Sequence, residues 1–212
     1  MTITPNIRYI GVDDTTLDLF EGQYIIPNGI SYNSYLILDE KVTIMDTVDA
    51  RMAKEWWENL EAALDGRTPD YLVVQHMEPD HASLVAEVME RFPNLQVVAT
   101  QRALQMMPLF FEGADFSNRS IAVGEGDTLS LGAHTLRFFL APMVHWPEVM
   151  VSLEETEGIL FAADAFGKFG ALCHEEDWAC EARRYYFNIC GKYGVQVQAL
   201  LKKLAGANIQ TI

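Results

Sequence analysis

Four potential metal ligands directly behind an apolar strand constrain this chain more than any other feature. Tyr71–Gln75 (YLVVQ) is apolar and β-prone, and His76 stands at its carboxyl end, followed by Met77, Glu78, Pro79, Asp80 and His81. Side chains alternate faces in an extended segment, so His76 and Glu78 point the same way, and Asp80 joins them if extension persists. Pro79 fixes a turn and biases Glu78 away from helix, which leaves Asp80 and His81 at the mouth of the next helix. Loops at the carboxyl ends of strands are where open α/β folds place their sites. By itself the hexapeptide also reads as a solvated loop in which Asp80 caps the helix.

The rest of the chain supplies the sheets on which such a loop can sit. Ile7–Val12 and Tyr24–Ile26 are short β-type runs, and Ser31–Leu38 with Lys41–Met45 read as an antiparallel hairpin through Asp39–Glu40. Asp49–Leu64 has helical spacing of Met52, Trp56, Leu60 and Leu64 and ends at Gly66. After Tyr71–Gln75 come a helix over Ala82–Arg91, a strand over Leu95–Ala99, and a helix over Gln101–Phe111, kinked or interrupted at Pro108. Strands follow at Ser120–Val123, Thr128–Leu131, His134–Leu140, Met150–Leu153 and Gly158–Ala162, the last two joined by Glu154–Glu157. Glu175–Lys192 and Val195–Leu204 are helical, and Asn208–Ile212 opens another strand.

Short apolar strands mixed with helices predict an α/β (α+β) protein of mixed sheets covered by helices. Residues 1–212 show no repeat or linker and read as one domain. No GxGxxG or P-loop is present, and Gly124–Gly126 is a turn between strands rather than a phosphate cradle.

Composition narrows the function classes. The 212 residues carry 15 Lys and Arg against 30 Asp and Glu, a net charge of −15, which argues against a nucleic-acid partner. Half the residues are hydrophobic, yet no apolar stretch approaches the roughly 20 residues that cross a bilayer, so no membrane partner is expected. Cys173, Cys180 and Cys190 are odd in number and include no CxxC. They read as free thiols in a reducing cytoplasm rather than a disulfide, zinc or iron–sulfur framework. The amino terminus lacks the basic-then-apolar pattern of a signal peptide.

Two further ligand-type residues follow strands. His145 lies in MVHWP after a long strand, between Pro142 and Pro147, and Asp164 lies in FAADAFG after another. With these, the pattern H-x-E-x-D-H, then HWP, then DAFG resembles the flavodiiron proteins, and the resemblance covers essentially the whole chain. It implies a metallo-β-lactamase-like αββα sandwich with two non-haem irons. Ordinary hydrolases of that superfamily read H-x-H-x-D-H. Here Glu78 replaces an imidazole, which hardens the site and suits a redox metal better than zinc.

Carried over by the resemblance, His76, Glu78 and His145 bind one iron, Asp80 binds the second, Asp164 bridges both, and His81 is a ligand or a near neighbour. It further implies reduction of a small gas substrate, NO to N2O or O2 to water, with electrons from FMN, and a head-to-tail homodimer. The family has one more His ligand in a Ser-x-His-Gly-like loop and a flavodoxin-like FMN domain. Neither is found in these residues, so the chain reads as C-terminally truncated and dependent on a flavin-bearing domain or flavoprotein. A zinc hydrolase and a non-catalytic folded remnant are the alternative readings.

The remaining residues of interest have plainer readings. His134 is expected at a surface turn and His174 in a partly exposed loop, with an approach to the site from the loop after Asp164 as the alternative for His174. Trp146 either shields the site or packs in the core. Trp56 and Trp57 cannot share one helical face, so one of them is expected to be exposed or at an interface.

Overall fold

The computed structural model describes residues 2–212. In chain order the strands and helices are β1 (Ile7–Tyr9), β2 (Val12–Asp14), β3 (Leu19–Phe20), β4 (Tyr24–Ile25), β5 (Ile30–Tyr32), β6 (Tyr35–Ile37) and β7 (Thr43–Met45), then α1 (Ala53–Leu64), β8 (Tyr71–Val74), α2 (Pro79–Ala82) and α3 (Val85–Arg91). They continue with β9 (Gln96–Thr100), α4 (Gln101–Phe110), β10 (Ser120–Val123), β11 (Thr128–Ser130), β12 (Thr135–Leu140), β13 (Met150–Glu154), β14 (Ile159–Phe161), α5 (Trp178–Asn188) and α6 (Gly194–Leu204).

Two main sheets result. One has the order β1-β6-β7-β8-β9-β10, antiparallel at its start and parallel from β7 onward. The other is the antiparallel meander β11-β12-β13-β14. The period-2 alternation shows how they stack. Ile37, Met45, Val73 and Val98 face Leu136, Phe138, Met150, Ile159 and Phe161 in one buried layer. Their chain neighbours Leu36, Ile44, Leu72, Val74 and Val97 face the opposite way, into a core shared with Trp56 and Leu60 of α1 and with Ala103 and Met107 of α4. Burial on both faces is why these strands read as continuous apolar runs. Each large side chain buried here stabilises the fold by roughly 1.5–3 kcal/mol. Leu200 and Leu204 of α6 join the core beyond the second sheet. The helix–sheet–sheet–helix sandwich expected from the sequence is thus the observed one.

Local differences have local causes. Ile7–Val12 and Ser31–Leu38 are each two strands rather than one, because the pair steps at Ile10–Gly11 opposite Asn33–Ser34. Gly11 lies against the Tyr32 carbonyl and the Tyr9 ring, where a Cβ has no room. Pro79 starts a short helix of its own, so Ala82–Arg91 is divided between α2 and α3. Helix α4 runs on through Pro108 instead of being interrupted there. Asp177 caps α5, which ends at Asn188 before a 3₁₀ turn at Gly191–Tyr193.

Trp56 and Trp57 are both buried, contrary to expectation. Trp56 enters the core and donates to Ser34 Oγ at 3.0 Å, whereas Trp57 is covered by the Arg91 guanidinium and Phe92. At the carboxyl end, Asn208–Ile212 forms no strand of its own; Thr211 makes a single parallel bridge to Ile159.

The sandwich concentrates chemistry at one edge. His76 follows β8, His145 lies between β12 and β13, and Asp164 follows β14. Met150 N donates to Gln75 O at 3.0 Å, which ties the start of β13 in one sheet to the end of β8 in the other.

Candidate metal centre

All six residues singled out from the sequence come together, in two groups that share Asp164. Ligand atoms of His76, Glu78, His145 and Asp164 lie within 4.8 Å of one another, and so do those of Asp80, His81 and Asp164. The division follows from the backbone. Glu78 is extended (φ −62°, ψ 144°), so it shares a face with His76, but the helical turn begun by Pro79 redirects Asp80 and His81 toward the second group. Asp80 therefore neither continues the first face nor caps the helix.

In the first group Glu78 Oε2 lies 3.2 Å from His76 Nε2 and 2.9 Å from His145 Nε2. Asp164 Oδ2 is 3.1 Å from His76 Nε2 and 3.4 Å from His145 Nε2. In the second, His81 Nε2 is 3.2 Å from Asp164 Oδ1 and 3.9 Å from Asp80 Oδ2. Two buried carboxylate oxygens around these groups, Asp80 Oδ1 and Glu148 Oε2, have no hydrogen-bond partner, and Asp164 Oδ2 meets only the two imidazoles of the first group. Buried polar atoms are normally satisfied, so orphaned anionic oxygens beside convergent imidazoles are what cation sites leave behind when described without their cations.

Electrostatics point the same way. Burial pulls His76 down, but Asp164, Glu148 and Glu78 outweigh it and hold the imidazole well above its usual range. Burial likewise opposes protonation of His145, yet Asp164 and Glu78 lift it to about 9. Glu78 is raised by burial but held at about 2 by His145 and His76. Asp80 goes the other way: burial, reinforced by Asp164 and Glu78, pushes it up to about 7. Protons on the imidazoles thus occupy the place of a metal charge, and metal binding would release them.

The loops that present these groups are strained. Asp46, Met143 and Ala163 have φ of 53°, 66° and 46°. Each such residue costs about 1–3 kcal/mol, and such outliers cluster at functional sites.

Three supporting residues escaped sequence reasoning. Asp46 accepts from Gln75 N at 2.7 Å and faces His81 Nδ1 at 3.4 Å. Glu148 accepts from His76 Nδ1 at 2.8 Å. Tyr185 donates to Asp164 Oδ1 at 2.6 Å, and its ring fills the space where a Cβ on Gly167 would come within 2.7 Å. A polar residue directly after the HWP segment was the one signal available for Glu148; the others depend on tertiary packing.

Trp146 stacks edge-to-face on His76 with centroids 5.1 Å apart, which makes it a shield for that ligand. His134 is buried rather than at a surface turn, held by Asp39 at 2.8 Å and Glu157 at 3.3 Å. His174 is exposed and belongs to neither group. The three cysteines are free thiols, with only Cys190 buried. A cavity of about 280 Å³ opens on Asp80, His81, Asp164 and Tyr185, and an adjoining one of about 310 Å³ reaches His81. No helix among the described residues is long and apolar enough to cross a membrane.

The fold is metallo-β-lactamase-like, and it carries two candidate metal-ligand groups that share Asp164. A profile described as "ODP family beta lactamase" matches residues 30–190, well over half of the chain, and the chain belongs to that family. Among curated relatives, an anaerobic nitric oxide reductase flavorubredoxin from Pectobacterium atrosepticum is 33% identical over 213 residues, covering 96% of this chain and 42% of the relative. The same-named protein from Aliivibrio salmonicida is 32% identical, over 98% of this chain and 43% of the relative. Among solved structures, the rubredoxin oxygen:oxidoreductase of Desulfovibrio gigas aligns with a TM-score of 0.92 and 31% identity, covering 100% of this chain and 54% of its own. The flavodiiron protein of Giardia intestinalis gives a TM-score of 0.90 and 28% identity, over 98% of this chain and 52% of its own. The chain spans about half the length of the relatives it matches.

Proposed function

We propose that this chain is the di-iron portion of a flavodiiron-type reductase that converts NO to N2O or O2 to water. The observation that carries the reading is the carboxylate of Glu78, set between His76 and His145 in a group that shares Asp164 with a second group. A hydrolytic zinc site favours imidazoles and a tetrahedral shell, so two carboxylates among four donors speak against the zinc hydrolase. The donors fit iron: His76, Glu78, His145 and Asp164 would hold one ion, and Asp80, His81 and Asp164 the other. Two such ions supply two electrons at one place when bound.

The chain's own residues do the rest. Asp164 joins the two groups, Tyr185 fixes which of its oxygens faces each, and Trp146 covers His76. Reduction of two NO to N2O also consumes two protons and releases water. The 280 Å³ cavity beside the second group offers a route by which those protons could reach it. On this reading the electrons come from FMN on a flavin-bearing domain or a separate flavoprotein, the protein works as a homodimer, and its compartment is the cytoplasm.

The test is a single turnover. The chain is loaded anaerobically with Fe(II), freed of excess metal and mixed with NO. The reading expects about one N2O for each pair of bound irons, and little steady-state turnover until a reduced flavoprotein is added. A loaded chain that yields no N2O and consumes no O2 contradicts it.

A further inference from the structure

Glu148 does not face the two ligand groups, yet its carboxylate is fully buried immediately behind one of them. Its Oε1 lies 2.8 Å from His76 Nδ1 and takes the backbone N–H of Met77 at 2.9 Å, while Oε2 is buried without a partner. Its backbone is fixed as well: Thr100, the cap of α4, donates its hydroxyl to Glu148 O at 2.9 Å. The carboxylate is therefore pinned by two elements before any metal arrives.

Resting on the metal reading above, the geometry points to Glu148 as the positioning residue for the first metal. It locks His76 with Nδ1–H donating backward, so that Nε2 presents its lone pair forward, and it sets a negative charge behind that ligand. A carboxylate can only accept, so the 2.8 Å contact places the hydrogen on His76 Nδ1; the Met77 N–H, 3.0 Å from Nδ1, then goes to Glu148 Oε1 at 2.9 Å. Trp146, packed across the ring, restricts rotation of the imidazole.

The second group has only a longer, shared counterpart. The partner of His81 Nδ1 is Asp46 at 3.4 Å, and Asp46 already takes both N–H groups of Gln75. The two metal positions are thus built unequally: His76 is backed by a carboxylate at 2.8 Å, His81 by a shared one at 3.4 Å. A carboxylate behind a ligating histidine raises its donor strength, and its loss typically costs 10–100-fold in metal affinity.

The experiment uses the full chain with Zn²⁺ as a diamagnetic probe, comparing the parent with Glu148→Ala and Glu148→Gln. Proton–nitrogen correlation spectra of the zinc-loaded parent should show the His76 Nδ1–H far downfield, as expected for a proton held against a carboxylate. That resonance should vanish in Glu148→Ala and move upfield in Glu148→Gln, whose neutral carbonyl still accepts. Competition against a chelator should show the first zinc bound about 10–100-fold more weakly in Glu148→Ala and less than tenfold more weakly in Glu148→Gln. A folded Glu148→Ala that keeps the resonance and binds zinc within threefold of the parent overturns the assignment. If Glu148→Ala does not fold, the isosteric Glu148→Gln decides, and an unmoved resonance there overturns it. A parent chain that binds neither zinc nor iron removes the metal reading itself, whereas a parent that loads beside unaffected variants removes only the role of Glu148.

Discussion

Asp164→Asn tests the shared carboxylate, and the structure says what the amide must do. Tyr185 donates to Oδ1 at 2.6 Å, so the asparagine carbonyl takes that position and its NH2 occupies the place of Oδ2. The amide then points N–H groups at His76 Nε2 and His145 Nε2, 3.1 and 3.4 Å away, where the parent offers lone pairs. The first metal loses one of four donors. Loss of an outer-sphere partner alone costs up to about 100-fold in affinity, so loss of a direct donor should cost at least that, or about 2.7 kcal/mol. The metal-free fold suffers too, because removing one partner of a buried ion pair costs about 3–5 kcal/mol. Relief of the repulsion that raises Asp80 offsets part of this, which favours the lower figure. About 3 kcal/mol lowers Tm by roughly 6–12 °C in a domain of this size. The assay is thermal unfolding of metal-free and Fe(II)-loaded protein, with bound metal counted by elemental analysis. A variant that melts like the parent and retains its metal would refute the shared-carboxylate geometry and favour a non-catalytic remnant.

Further outcomes follow from individual contacts. Glu78→His restores three imidazoles to the first group and should shift the metal retained after expression from iron toward zinc, read by elemental analysis; unchanged iron preference would count against the role given to that carboxylate. Gly167→Ala places a methyl within 2.7 Å of the Tyr185 ring, so it should lower stability by about 1–3 kcal/mol and displace Tyr185 from Asp164, seen as a lower denaturation midpoint; an unchanged midpoint would refute the tight fit. The His134–Asp39 pair should give the fold a pH dependence of its own. Burial disfavours charge on His134, but Asp39 and Glu157 hold it above 6.5, so its contribution is complete below 6.5 and fades as pH rises through the raised value. Burial would raise Asp39, but the hydrogen bonds from His134 and its neighbours bring it to about 2, so its contribution fades as pH falls from 3.8 through 2. The stability difference between parent and His134→Gln should therefore be greatest between about pH 4 and 6.5, and a difference that stays constant up to pH 9 would exclude the pairing.

What the sequence made legible was local. Alternation placed His76 and Glu78 on one face, and Pro79 marked the turn that sends Asp80 and His81 elsewhere, although how far the extension ran could not be read from the hexapeptide. His145 and Asp164 stood out because each follows a strand, and strand ends converge at one sheet edge. Asp46, Glu148 and Tyr185 were not legible, because each acts through a contact made only when distant segments pack. Glu148 is 72 residues from His76 and Tyr185 is 21 from Asp164. The same limit explains Trp56 and Trp57. Helical geometry separates their faces, but only the tertiary fold shows that the end of α3 covers the second one. His134 looked like a turn residue because its partners, Asp39 and Glu157, come from two other loops.

The central claim is a pair of iron sites that share one carboxylate, and an anaerobic Fe(II) titration followed by Mössbauer spectroscopy tests it most directly. The account predicts two irons per chain, the first bound more tightly by its four donors than the second by its three, and spin coupling between them after partial oxidation. A chain that saturates at one iron, or that holds two irons without coupling, would contradict it.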